Sequence, residues 1–161
     1  MLGAGTGKNS LHLARMGWQV EAFDFSRLAI DLARRKLIGT SVSVSCEDLR
    51  YRRYSEGHYN SIILYGVAHC LTDNELCNFA AAARRSLKKG GCLLIASFTP
   101  EIPPPASHFH REVYLRTSQE LINAFGSCEV AFCEMGEILE SHGNLVAEHR
   151  HSMCWLALRF P

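Results

Sequence analysis

An α/β fold built on a doubly wound, mostly parallel sheet is the architecture this sequence predicts, and three observations carry the prediction. Short apolar runs alternate with stretches of helical periodicity along nearly the whole chain. A glycine-rich turn, Gly3-Ala4-Gly5-Thr6-Gly7, stands just before the first helical stretch. The 161 residues, 47% hydrophobic and 20% charged, suit one domain over residues 1–161 with a sizeable core.

The elements follow in order. Asn9 to Met16 predicts a short helix closed by Gly17, and Trp18 to Phe23 a strand. Ser26 can cap a second helix in which Leu28, Ala29, Leu32 and Ala33 recur at helical spacing, with Arg34, Arg35 and Lys36 suited to its C-terminal end. Ser41 to Cys46 alternates with a period of two. Asn60 to Tyr65 is a continuous apolar run expected of a strand buried on both faces. Thr72 and Glu75 form a capping box for a helix with an apolar stripe of Leu76, Phe79, Ala80, Ala83 and Leu87, ended by Gly90-Gly91. Cys92 to Phe98 predicts another buried strand, and Pro103-Pro104-Pro105 marks a loop from Thr99 to Val113. Thr117 and Glu120 repeat the capping box for a helix ending at Gly126. Two strands, Glu129 to Glu134 and Met153 to Leu158, close the chain.

Composition narrows the function. Seventeen basic against sixteen acidic side chains leave a net charge of +1, so no overall field recruits nucleic acid or an anionic membrane, and neither is expected as a partner. No apolar run approaches the ~20 residues a spanning helix needs. The seven cysteines are odd in number and scattered, without a C-x-x-C. With no signal-peptide pattern at the start, they predict reduced thiols and a cytoplasmic location. The basic stretch Arg50 to Arg53 reads as a solvated loop rather than an RNA-binding patch.

The chemistry concentrates at the glycine turn. Glycines permit a tight turn and a close backbone approach to a ligand, and the helix start offers free N–H groups. The pattern is G-x-G-x-G, with Lys8 where a dinucleotide fingerprint would place its continuation, and no P-loop is present. Asp24 ends the second strand seventeen positions after Gly7, where its carboxylate can accept both hydroxyls of a ribose or simply cap the next helix. Asp48 ends the third strand, where it can accept from an exocyclic amine or stand as an ordinary loop acid. Together these describe a pocket for an adenosine without a pyrophosphate.

The motifs G-A-G-T-G, V-E-A-F-D-F-S, C-E-D-L, Y-N-S-I-I-L-Y-G-V-A-H and L-K-K-G-G-C-L-L-I, in that order, resemble those of class I S-adenosylmethionine-dependent methyltransferases. G-T-G-K-N-S-L-H-L-A, Y-L-R-T-S-Q-E-L and the late H-R-H are similar to the small bacterial tellurite-resistance and thiopurine-type members. The resemblance implies a Rossmann-like methyltransferase sheet with an antiparallel last strand inserted as a hairpin. It implies S-adenosyl-L-methionine as cofactor, held by Gly3, Ala4, Gly5, Gly7, Asn9, Asp24, Phe25, Asp48, Leu49 and Tyr65. It implies a small-molecule acceptor, soft (sulfur, selenium, tellurium) or aromatic or oxygen-centred. His69, after the fourth strand, faces that acceptor or serves as a structural histidine, and His149 and a lid over Ser107 to Glu112 are placed to face it at the carboxyl ends of the strands. A non-catalytic adenosine-binding module or inactive remnant is the alternative. A nicotinamide oxidoreductase is disfavoured by Lys8.

Two features depart from the family pattern or add to it. Family members carry a full strand before the glycine turn, with an acid where this chain has Met1, so the first strand reads as truncated to Met1-Leu2. A late start, a rearranged sheet, or a slot filled by another chain, self-association included, would each account for it. Two H-x-H pairs, His108/His110 and His149/His151, lack a third ligand at helical or finger spacing, so no metal is expected.

Overall fold

The structure is a computed structural model and describes residues 1–105, 112–140 and 148–161. Its elements run α1 (Lys8–Arg15), β1 (Val20–Asp24), α2 (Arg27–Lys36), β2 (Val42–Cys46), β3 (Tyr59–Tyr65), a 3-10 turn (Ala68–Cys70), α3 (Asp73–Ser86), β4 (Leu87–Phe98), α4 (Ser118–Phe125), β5 (Glu129–Glu140) and β6 (His149–Arg159). The expected lid, Ser107 to Glu112, and with it His108 and His110, falls outside the described residues except at Glu112.

The strands form a pair, β1-β2, and a four-stranded sheet in the order β3-β4-β6-β5. Pairing is parallel in β1-β2 and β3-β4, whereas β6 is antiparallel to both β4 and β5, between which it lies. The two groups are joined by Leu2, which bridges Phe23 on one side and Leu64 on the other. Its N–H donates to the Ile63 carbonyl at 2.9 Å, and the Phe23 N–H donates to the Met1 carbonyl at 3.1 Å. Behind Leu2, β1 and β3 part around a cavity of about 770 Å³ lined by Met16, Trp18, Val20, Ser61 and Ile62. Leu2 thus joins β1 and β3 at one end of that cavity.

The core lies between the four-stranded sheet and the helices α3 and α4. Leu64, Leu93, Leu156 and Leu158 meet Leu76, Phe79, Ala83, Leu121 and Phe125, all buried. Burying each such side chain stabilises the fold by about 1.5–3 kcal/mol. Both helices start at complete capping boxes, Thr72 with Glu75 and Thr117 with Glu120. Among the described residues, no helix is long and apolar enough to cross a membrane.

Three local expectations are corrected. Helix α2 buries Ile30, Ala33 and Leu37, while Leu28 and Leu32 are exposed, because the face toward β1 and β2 is set by packing on a two-stranded patch. Strand β3 buries Ile62 and Leu64 but leaves Tyr65, its last residue, exposed at the carboxyl edge of the sheet. Gly90 and Gly91 do not end α3; they lie inside β4, which starts at Leu87 and continues its pairing through mutual bonds of this turn with Phe160.

Candidate active site at the carboxyl edge of the sheet

The glycine turn joins Leu2 to α1 at the carboxyl end of the parallel strands. Gly3, Gly5 and Gly7 have φ of 62°, 51° and 78°, a region that residues with a Cβ rarely occupy. A Cβ on Gly3 would overlap Val67, and one on Gly7 would come within 2.8 Å of Leu37 Cδ1. Ala4 is buried, and its N–H donates to the Phe23 carbonyl at 3.0 Å, which holds the turn against β1.

Asp24 closes β1 facing this turn. Its Oδ2 accepts from the Gly5 N–H at 2.9 Å and its Oδ1 from the Ser26 N–H at 2.9 Å. Each carboxylate oxygen has two lone pairs, so both retain capacity for a further donor. Ser26 in turn accepts from the Ala29 N–H, so the acid, the cap and the glycine turn form one hydrogen-bonded unit.

Asp48 lies across the cleft and accepts from the Arg50 guanidinium, with Arg50 Nη2 at 2.6 Å from Oδ2. Arg50 also reaches Glu75 Oε1 at 3.2 Å. These hydrogen bonds, Asp48 first and Glu75 second, push the Arg50 pKa upward. Glu75 is held below its ordinary range, chiefly by the N–H of Thr72, with Arg50 adding to the effect.

Between these groups is a cavity of about 170 Å³ whose wall includes Gly3, Asp24, Phe25, Asp48 and Leu49. The structure therefore brings together five of the ten residues assigned to cofactor contact, from three separate segments. Ala4, Gly5 and Gly7 shape the turn behind them. Asn9 is exposed on α1 and Tyr65 is exposed at the end of β3, and neither lies on this wall. Gly66, Val67 and Cys70 do line it, although the sequence reading did not single them out, and so does Arg50, which was read as part of a solvated loop. Gly66 and Val67 follow β3 within Y-G-V-A-H, so the run past the strand end was the available signal.

The larger cavity beside Trp18 borders the flanks of β1 and β3 away from these carboxylates. Ligands of open α/β sheets bind beyond the carboxyl ends of the strands, which favours the smaller cleft as the site.

His69 lies in the 3-10 turn after β3 and is buried. Its ring is 4.6 Å from that of Phe98, which is 4.6 Å from His151, and His149 follows at 5.5 Å from His151. The two histidines assigned to the acceptor side thus belong to one row of rings along the same sheet edge. Cys70 and Leu71, directly after His69, reach the cleft wall. Arg116 fixes this turn by donating to the carbonyls of Ala68 at 3.2 Å and Leu71 at 2.8 Å, and to Asp73 Oδ1 at 2.7 Å.

An adenosine pocket needs a glycine cradle, a carboxylate within reach of a ribose and a polar group at the base end. Positive φ at three glycines, the Asp24 latch and Asp48 across the cleft meet those requirements. This constellation on a Rossmann-like sheet with an inserted antiparallel strand is that of the class I S-adenosylmethionine-dependent methyltransferases. The family model described as a methyltransferase domain matches residues 1–91, and the chain belongs to that family.

Solved structures share its fold. TehB from Haemophilus influenzae is similar with a TM-score of 0.81 and 20% identity, covering 99% of this chain and 57% of that one. A structure from echinomycin biosynthesis, described for conversion of a disulfide bond into a thioacetal group, has a TM-score of 0.78 and 22% identity, covering 99% and 73%. A SAM-dependent methyltransferase from Methanosarcina mazei has a TM-score of 0.77 and 14% identity, covering 99% and 90%. No curated protein matches the chain.

Proposed function

We propose that the protein transfers the methyl group of S-adenosyl-L-methionine to a small-molecule acceptor, with a soft sulfur, selenium or tellurium atom or an aromatic or oxygen nucleophile as the attacking group. The observation that carries this reading is the Asp24 carboxylate, latched to the glycine turn at Gly5 and open to the cleft. When bound, the cofactor supplies an activated methyl on a sulfonium. What remains for the chain is alignment in a water-poor cleft, which can lower a barrier by ~7–11 kcal/mol.

In this reading, Asp24 accepts the ribose hydroxyls, Asp48 with Leu49 receives the base, and Phe25 covers it. Gly3, Ala4, Gly5 and Gly7 cradle the sugar and the amino-acid end, with Asn9 and Tyr65 contributing from the rim. His69 and His149 face the acceptor. A soft acceptor needs no strong base, whereas an oxygen acceptor would draw on an imidazole titrating near neutrality. The likeness to TehB and to the echinomycin structure, the latter described for chemistry at a disulfide, supports a small-molecule acceptor. The near-zero net charge supports neither nucleic acid nor an anionic membrane as partner. The seven free thiols fit the reducing conditions of a cytoplasm.

Calorimetry with S-adenosylhomocysteine tests the site. Asp24→Ala removes a charged acceptor of two hydroxyls and is expected to weaken binding about 100-fold. Unchanged affinity would overturn the ribose assignment. Methyl transfer to a panel of thiols, selenols, tellurium oxyanions and phenols tests the chemistry. Tight binding without turnover across the panel would replace the enzyme with an adenosine-binding module.

A further inference from the structure

The sequence offers His149 and His151 as a strand pair with no third ligand nearby along the chain. Strand pairing supplies one. In the β5-β6 hairpin, Glu140 is the register partner of His149, and His151 pairs with Ile138. Side chains two apart on a strand share a face, as do directly opposed residues of an antiparallel pair. Glu140, His149 and His151 therefore converge, and one ligand atom from each lies within 4.8 Å of the others. His151 Nε2 is 3.8 Å from Glu140 Oε2.

We propose that Glu140, His149 and His151 form a binding site for a divalent first-row transition ion of the zinc type. Two imidazoles and one carboxylate are the donor set of an open tetrahedral site, with water in the fourth position. Bonds of ~2.0–2.1 Å would set the donor atoms about 3.3 Å apart. The His151 side chain is fully buried and the Glu140 side chain is 36% exposed, so a rotation of Glu140 can draw the three together. Phe98 packs against His151 and forms an apolar wall, and the desolvated setting strengthens charge–donor attraction. Arg150, between the two histidines, projects to the other face and pairs with Glu137 at 3.3 Å, so its charge does not compete for Glu140. The bland alternative, an ion pair of Glu140 with His151, accounts for the carboxylate but takes up no metal, and a metal titration separates the two.

The inference stands independently of methyl transfer, and its test reads metal alone. Reduced protein is titrated with Co²⁺ and followed by visible absorption, with Zn²⁺ competition to set the affinity. One equivalent is expected, with a spectrum of tetrahedral or five-coordinate nitrogen–oxygen ligation. A sulfur-to-cobalt charge-transfer band would assign the ion to one of the seven cysteines and overturn the site. Glu140→Gln and His149→Gln replace residues outside the core, and circular dichroism verifies that each is folded. Each is expected to lose at least about 10-fold in affinity, since even indirect partners of metal ligands cost 10–100-fold. Absence of binding to the unaltered protein, or binding in both variants as tight as in the unaltered protein, would sink the proposal.

Discussion

The two halves of the sheet are held together in different ways. From β3 through β4 and β6 to β5, every neighbouring pair shares a ladder, and β5-β6 alone has eleven partnered residues. Between β1 and β3, the described residues are joined by the Leu2 bridges at the ligand edge, with a cavity of about 770 Å³ behind them. The half with continuous pairing holds the hairpin that carries His149 and His151. The half that lacks a ladder to β3, and is tied to it by the Leu2 bridges and by the Tyr59 hydroxyl donating to Glu21 Oε2 at 2.8 Å, holds Asp24 and the glycine turn. The difference teaches that the candidate cleft stands beside a seam with little backbone pairing, and that a ligand spanning Gly3, Asp24 and Asp48 would add to the connections across it.

The largest effect should come from the clamp itself. Leu2 is 2% exposed and touches both halves. Leu2→Ala is expected to cost about 2–5 kcal/mol, read as a lower urea midpoint, and to weaken S-adenosylhomocysteine binding as well. Loss of stability with unchanged affinity would show that the cleft does not need the seam. Arg116→Ala comes next. It removes the guanidinium donors to the carbonyls of Ala68, which keeps the Leu71 N–H, and of Leu71, at about 1–3 kcal/mol for a buried acceptor left unsatisfied. Its distinguishing result is weaker ligand binding, because the turn it fixes carries Cys70 and Leu71 into the cleft. A smaller contrast separates the capping boxes. Thr72→Ala and Thr117→Ala should each cost about 1 kcal/mol in thermal or urea unfolding, and only the first should disturb the cleft, through Glu75 and Arg50.

Local chemistry was readable in the sequence wherever cause and effect lie within a few residues. Both capping boxes, the Ser26 cap and the Gly126 stop are of this kind. The pairing of Asp24 with the glycine turn was also accessible, because a strand-end acid returns beside the preceding turn in a parallel sheet. What escaped was set by distant partners. The buried face of α2 turned from Leu28 and Leu32 to Ile30 and Leu37 because of the strands it covers. Strand β4 absorbed Gly90-Gly91 because Phe160, at the far end of the chain, pairs there. Glu140 meets His149 through hairpin register, which no spacing along the chain encodes.

The smallest effect offers the finest comparison, since two chemically identical boxes differ in one neighbour. Thr72 and Thr117 each donate through N–H and hydroxyl to Glu75 and Glu120, and those bonds hold both carboxyls below the ordinary value. A carboxyl whose pKa is depressed by folding contributes stability that is complete above its unfolded pKa and is lost as pH falls through the folded one. Acid should therefore weaken both helix starts at pH values below the usual glutamate range. Glu75 alone continues to Arg50 and so to Asp48, at the cleft. Gln at the third helical position can preserve the reciprocal cap, so Glu75→Gln removes the Arg50 pair while sparing the helix. Because exposed pairs of this kind are worth about 0.2–1 kcal/mol, S-adenosylhomocysteine affinity should change by less than about tenfold in Glu75→Gln and not at all in Glu120→Gln. Equal responses of the two variants would sever the helix cap from the cofactor cleft and leave Asp48 to hold its orientation through Arg50 alone.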